Sequence, residues 1–135
     1  DVTERVRMTT ADVAAVCAPA PGSALARFGA DTVSFYIEFY ERFGPEPGAA
    51  MHDPLALAIA LDPSLAELTT TRVEVECDGR WTRGMTVADL GGVRNTPWAL
   101  GWEAADNARV ALTVDAEAFT SRFLERLRGL VEAQA

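Results

Sequence analysis

Apolar and polar positions along the chain follow two periods, and each period predicts elements. Residues 1–8, DVTERVRM, alternate Val2, Val6 and Met8 with Thr3, Arg5 and Arg7, the pattern of a short strand or extended segment. Thr9 or Thr10 then caps a short helix through ADVAAVCA, which PAPG at 19–22 breaks. Ser23 begins the longest helix, to about Phe43. Leu25, Phe28, Thr32, Phe35, Phe39 and Phe43 recur at spacings of three and four, one face of a helix. That face needs an apolar partner and, with so few strands, is expected to be left uncovered and to favour self-association. Tyr36 and Tyr40 form a second stripe, rotated about 100° from Phe35 and Phe39. GPEPG at 44–48 ends this helix. Pro54 to Leu61 reads as the next helix, and Asp62–Pro63 repeats the Asp–Pro start with a short helix to about Leu68.

The period then changes to two. RVEVEC alternates Val73, Val75 and Cys77 with Glu74 and Glu76, Asp78–Gly79 is a two-residue hairpin signal, and RWTRGMTV returns as the partner strand. Residues 88–106 read as a loop, with Gly91–Gly92, Asn95, Pro97, Gly101 and the tryptophans Trp98 and Trp102. NARVALTVD is another strand, and Asp115 caps a final helix whose apolar face is Phe119, Phe123, Leu127, Leu130 and Val131. The order of strand, helix, helix, helix, hairpin, strand, helix is a mixed α/β pattern. It has too few strands for a complete doubly wound sheet.

Composition narrows the partners. The 135 residues are 49% hydrophobic and 24% charged, which suits one domain with a real core. A net charge of −8 argues against nucleic acid and against an anionic membrane surface. Arg122, Arg126 and Arg128 lie close together, but Glu117, Glu125 and Glu132 offset them. No apolar run approaches the roughly 18 residues that span a bilayer, and no signal-peptide pattern is visible; the expected location is cytoplasmic. Cys17 and Cys77 form no C-x-x-C pair, and one histidine leaves no Cys/His zinc site within one chain. Two lone cysteines suit a reducing compartment, both as small buried hydrophobes. The chain opens on Asp1 rather than methionine and reads as a single domain or as a fragment, 1–135.

Candidate chemistry centres on MHDP at 51–54. His52 is the only histidine and ends a Gly-Pro-rich loop, where functional groups tend to sit. It is also the one side chain with an ordinary pKa near neutrality. Asp53 before Pro54 is equally a good helix start, with Asp at N-cap and Pro in the first turn. Capping and ligation are compatible, since a carboxylate has two oxygens. Tyr36 and Tyr40, at i and i+4, can present an aromatic wall with two hydroxyls, or serve as ordinary core or surface aromatics.

Together these residues resemble the carboxy-terminal part of the inosine–uridine preferring nucleoside hydrolase family. The likeness lies in MHDPLALAIALDPSL, in the strand RVEVECDGRWTRGMTVAD and in NARVALTVDAEAFTSRFLERL. DVTERVRMTTADV is similar to the segment where that family leaves a central strand for a helix, and FYIEFY to its aromatic helix ahead of the histidine. Residues 92–106 read as a divergent loop. The resemblance implies an α/β fold, the carboxy-terminal portion of an open sheet with helices and a β-hairpin. It implies hydrolysis of the N-glycosidic bond of a ribonucleoside to ribose and free base, with a calcium ion holding the attacking water and the ribose hydroxyls. On that pattern Asp53 matches a calcium ligand, His52 the proton donor to the leaving base, and Tyr36 and Tyr40 the helix that closes over the base. The family commonly forms dimers or tetramers, so a homo-oligomer is expected.

One part of the family's pattern is missing. Its aspartate-rich loop, D-x-D-x-G-x-D-D, supplies most of the calcium carboxylates. The aspartates here stand at 1, 12, 31, 53, 62, 78, 89, 106 and 115, with no two adjacent. One carboxylate is a weak calcium site, since 6 to 8 oxygens are usual. Three readings stand: a part of a nucleoside hydrolase, inactive alone; a degenerate relative that binds a small molecule or protein without catalysis; and an unrelated α/β interaction module in which HDP is only a helix start.

Overall fold

The alternation at the amino end resolves into two short pieces. Thr3–Arg5 form a 3-10 turn and Arg7–Met8 form strand β1, in place of one extended segment. Val6 and Met8 are buried on the core side, as their alternation requires. The structure, a computed structural model, describes residues 2–92, 96 and 105–134.

β1 pairs antiparallel with β2 (Ala49–Ala50), Arg7 opposite Ala50 and Met8 opposite Ala49. The Met51 N–H extends the pairing to the Val6 carbonyl at 2.9 Å. Gly48 enters β2 at φ +77, and a Cβ there would meet the Met8 carbonyl oxygen at 2.5 Å, so only glycine fits. Helix α1 (Thr10–Cys17) opens with a capping box. Thr9 Oγ1 accepts from the Asp12 N–H at 3.3 Å, and the Asp12 carboxylate accepts from the Thr9 N–H at 2.8 Å. Helix α2 (Ala24–Phe43) is capped by Ser23, whose hydroxyl oxygen accepts from the Ala26 N–H.

The buried face of α2 is not the phenylalanine face, which stands uncovered as expected. Ala26 and Ile37 are buried, and Ala30, Val33 and Tyr40 pack on the core. Phe28, Phe35, Phe39 and Phe43 stand exposed, Phe35 at 75%. Both stripes have helical spacing, so periodicity alone does not choose between them. The small side chains of the Ala26–Ala30 stripe let α2 approach α1 closely, and α1 packs mainly on α2 and α4.

Helix α3 (His52–Leu61) begins two residues before Pro54. Its N-cap is Met51, with no side-chain capping bond, so Asp53 lies in the first turn and is not the cap. The reason is tertiary: β2 runs straight into the helix, and pairing with Val6 already fixes Met51. Asp62 does cap, accepting from the Ser64 N–H, but only for the 3-10 turn Pro63–Leu65. Helix α4 (Ala116–Glu132) starts at Asp115 as expected, the carboxylate accepting from the Ala118 N–H at 2.9 Å. Phe119 and Val131 are buried on it, Phe123 and Leu127 partly so, whereas Leu130 is exposed. The principal core gathers Val6, Met8, Val13, Ile37, Met51, Leu55, Leu65 and Phe119.

Two compact units result, residues 1–66 with 114–135, and residues 67–113. The second is built of strands. β3 (Ala66–Thr71) pairs with β6 (Ala108–Val114), and β4 (Val73–Val75) pairs antiparallel with β5 (Thr86–Ala88), Val73 opposite Ala88. β3 corrects the helix expected to about Leu68: three successive β-branched threonines, Thr69–Thr71, suit a pleated strand. The hairpin exists, but not with a two-residue turn at Asp78–Gly79. The Glu76 carboxylate accepts from the N–H groups of Asp78 and Gly79 at 2.7 and 3.0 Å. This local bonding competes with the strand ladder, and the chain returns lower down, through Gly84 at φ +89. Cys77 is exposed rather than buried, Cys17 is half-buried, and both are free thiols. Trp98, Trp102, Asn95, Pro97 and Gly101 lie outside the described residues. Among the described residues no helix is long and apolar enough to cross a membrane.

Candidate active site

His52 is the first residue of α3, and its ring is held on both sides. Nδ1 lies 2.6 Å from Thr3 Oγ1, and Nε2 lies 2.9 Å from the Tyr40 hydroxyl. The Tyr36 hydroxyl, one helical turn earlier on α2, donates to the Tyr40 hydroxyl at 3.2 Å. The i, i+4 spacing brings the two rings within 4.9 Å, centroid to centroid. A continuous chain therefore runs from Tyr36 through Tyr40 to His52 and Thr3.

The first turn of the protein completes the setting. Glu4 Oε1 lies 3.7 Å from His52 Nε2, and Arg7 holds Glu4 Oε2 at 3.1 Å. The same guanidinium donates to the carbonyls of Glu46, Pro47 and Gly48 at 3.3, 3.0 and 2.7 Å. It also lies 5.7 Å from the Tyr40 ring centroid. One side chain thus ties down the loop that delivers His52. The Tyr36 phenol is pushed up to about 12, first by its hydrogen bond to Tyr40, then by burial and by the negative field of Tyr40, Asp53 and Glu4.

Tyr36, His52 and Asp53 line a common cavity of about 500 Å³ with Met8, Met51 and Phe123. Tyr40 stands behind it, on the side of Glu4 and Arg7. Asp53 is exposed and, among the described residues, its carboxylate makes no hydrogen bond or ion pair. It also borders a second cavity of about 540 Å³ against Leu57, Leu61, Phe119 and Arg122. All four residues singled out in the sequence are thus gathered in one place. Thr3, Glu4 and Arg7 join them without any sequence signal, because only the β1–β2 pairing brings residues 3–7 beside residue 52.

Calcium needs more than the described residues gather. Among the described residues no group of three or more His, Cys, Asp or Glu side chains could hold a metal. Asp53 is one hard oxygen donor, and Glu4 is engaged by Arg7. The set does not by itself fit a cation that takes 6 to 8 oxygens.

The fold is a partial α/β scaffold that gathers an imidazole–phenol chain and an exposed carboxylate at one place. The comparisons with known proteins are more specific. The family model for inosine-uridine preferring nucleoside hydrolase matches residues 1–121. The pyrimidine-specific ribonucleoside hydrolase RihA of Salmonella arizonae is 34% identical over 133 residues, covering 95% of this chain and 38% of the relative. The inosine-uridine preferring nucleoside hydrolase of Crithidia fasciculata is 31% identical over 109 residues. Among solved structures, the purine-preferring ribonucleoside hydrolase from Gardnerella vaginalis superposes with a TM-score of 0.79 at 30% identity, over 97% of this chain and 38% of that one. The chain belongs to the inosine-uridine preferring nucleoside hydrolase family. It spans 38% of the length of the first of these curated relatives.

Proposed function

We propose that this chain supplies the proton-donating part of a ribonucleoside hydrolase, the carboxy-terminal part of its active site. The observation that carries the reading is the chain Tyr36–Tyr40–His52, which opens on the cavity that Asp53 also lines. Cleaving an N-glycosidic bond expels a base as an anion unless a proton arrives. His52, as imidazolium, is the source. Tyr40 and Tyr36 pass the proton on while their rings wall the base. Such general acid help is worth about 10² to 10⁴ in rate. The sugar side passes through an oxocarbenium-like state, which a nearby carboxylate favours. Asp53 is proposed as one calcium donor, with the remaining donors outside these residues; a calcium ion so held would supply a water of lowered pKa. The order of motifs along the chain supports the carboxy-terminal placement, and the two free thiols support a cytoplasmic location.

The test uses the enzyme that contains this chain together with the rest of its site. His52→Ala lowers kcat on inosine and uridine by about 10² to 10⁴, and by far less on a nitrophenyl riboside, whose leaving group needs no proton. Tyr40→Phe follows the same split. Equal losses on both substrates overturn the proton-donor role. The 135-residue chain alone, assayed in millimolar calcium, shows no turnover. A rate of roughly 1 per second or faster would overturn the partial-site reading.

A further inference from the structure

We propose that Thr3 is a positioning residue for His52: its hydroxyl oxygen accepts the Nδ1 hydrogen and so, together with the Tyr40 hydroxyl on Nε2, fixes which nitrogen of the neutral ring is bare. This rests on the reading of His52 as the proton source and names a residue which that reading does not require. Thr3 Oγ1 lies 2.6 Å from Nδ1 across 49 residues of sequence. The turn that carries it is rigid. Val2 and Val6 are buried on either side, and the Val6 N–H closes on the Thr3 carbonyl at 3.1 Å. The β-branched side chain has little rotamer freedom.

The direction of the bonds follows from the other end of the chain. The Tyr36 hydroxyl donates to the Tyr40 oxygen, which leaves Tyr40's own hydrogen for Nε2 at 2.9 Å. An Nε2 that accepts carries no hydrogen, so the neutral ring keeps its hydrogen on Nδ1, and Thr3 is the acceptor. The charged groups around the ring do not replace this bond. Glu4 is 3.7 Å from Nε2, beyond hydrogen-bond distance, with its other oxygen on Arg7. Thr3 thus keeps Nδ1 occupied and leaves Nε2, on the Tyr40 side, as the nitrogen that exchanges a proton with the phenols.

His52 is the only histidine, so imidazole nitrogen resonances of the ¹⁵N-labelled 135-residue chain need no assignment. Long-range ¹H–¹⁵N correlation on the neutral ring reads the tautomer directly. The expected wild-type spectrum is that of the Nδ1–H form. Thr3→Val shifts the population to Nε2–H, the form an unconstrained histidine side chain prefers, and Thr3→Ser restores Nδ1–H. Tyr40→Phe, which removes the hydrogen that Nε2 accepts, lowers the Nδ1–H population as well, because the two bonds act on one ring. A wild-type Nε2–H ring overturns the proposal, as does a Thr3→Val spectrum identical to wild type. So does a switch caused by Tyr40→Phe and not by Thr3→Val. No turnover is read, so loss of the hydrolase reading and loss of this one remain separate results.

Discussion

His52 has two ring nitrogens and two partners, and its neighbours carry measurable signs of the arrangement. Tyr36 is raised from 10.0 to about 12, so the fold favours its protonated form. Its contribution to stability is therefore intact below about pH 10 and is lost as pH rises toward about 12. Tyrosinate absorbance of the folded chain should show one phenol ionising well above the ordinary value. Tyr40→Phe, which removes the first-named cause, should return Tyr36 toward 10.0. An unchanged titration in that variant would show that the bond between the phenols is not the cause. Asp53 makes a different forecast. It caps nothing, so without calcium Asp53→Asn should alter stability only through the helix dipole, by less than about 1 kcal/mol. Calcium dependence of turnover in the complete enzyme should weaken in the same variant. A denaturant midpoint and a calcium titration separate the two effects, and a mutant equal to wild type in both would remove Asp53 from the site.

At the scale of elements, α2 decides how the tyrosines are aimed. Its buried stripe contains Ile37, fully enclosed, and its phenylalanines face out. Tyr40 lies between the two stripes, which is why it can pack on the core and still reach His52. Ile37→Ala should therefore cost about 2–5 kcal/mol. Phe35→Ala, measured at a concentration low enough for the monomer, should stay within about 0.5 kcal/mol, as an exposed substitution does. Urea melts of the two variants check this directly. The reverse ranking would mean that α2 is rotated by roughly 160°, which would also carry Tyr36 and Tyr40 away from His52.

At the scale of the whole molecule, the phenylalanine stripe is an exposed apolar surface that the site does not use. Phe28, Phe35, Phe39 and Phe43 are each more than half exposed. At roughly 150–250 Å² per aromatic side chain, the stripe presents roughly 500 Å² of apolar surface. That is near the upper limit for a typical monomer. We propose that it pairs with the same stripe of a second copy about a twofold axis. Light scattering over a concentration series should show a dimer, and Phe28→Glu with Phe35→Glu should return it to monomer. A wild-type monomer at all concentrations would end this proposal.

Much of this protein is written locally. The caps Thr9, Ser23 and Asp115, the bounds of α2 and α4, and strand β6 follow from side chains that bond or pack within a turn or two of themselves. His52, Asp53, Tyr36 and Tyr40 stand out in the sequence as unusual residues at telling spacings, and the fold brings them together. The tertiary structure decided what local chemistry leaves degenerate. Two helical stripes compete for the inside of α2, and only the approach of α1 selects the alanine side. Asp53 could have capped α3, but strand pairing at Met51 starts the helix earlier and leaves the carboxylate bare. Thr3, Glu4 and Arg7 look like ordinary surface residues until β1 pairs with β2, because a contact across some fifty residues leaves no periodic trace in either segment.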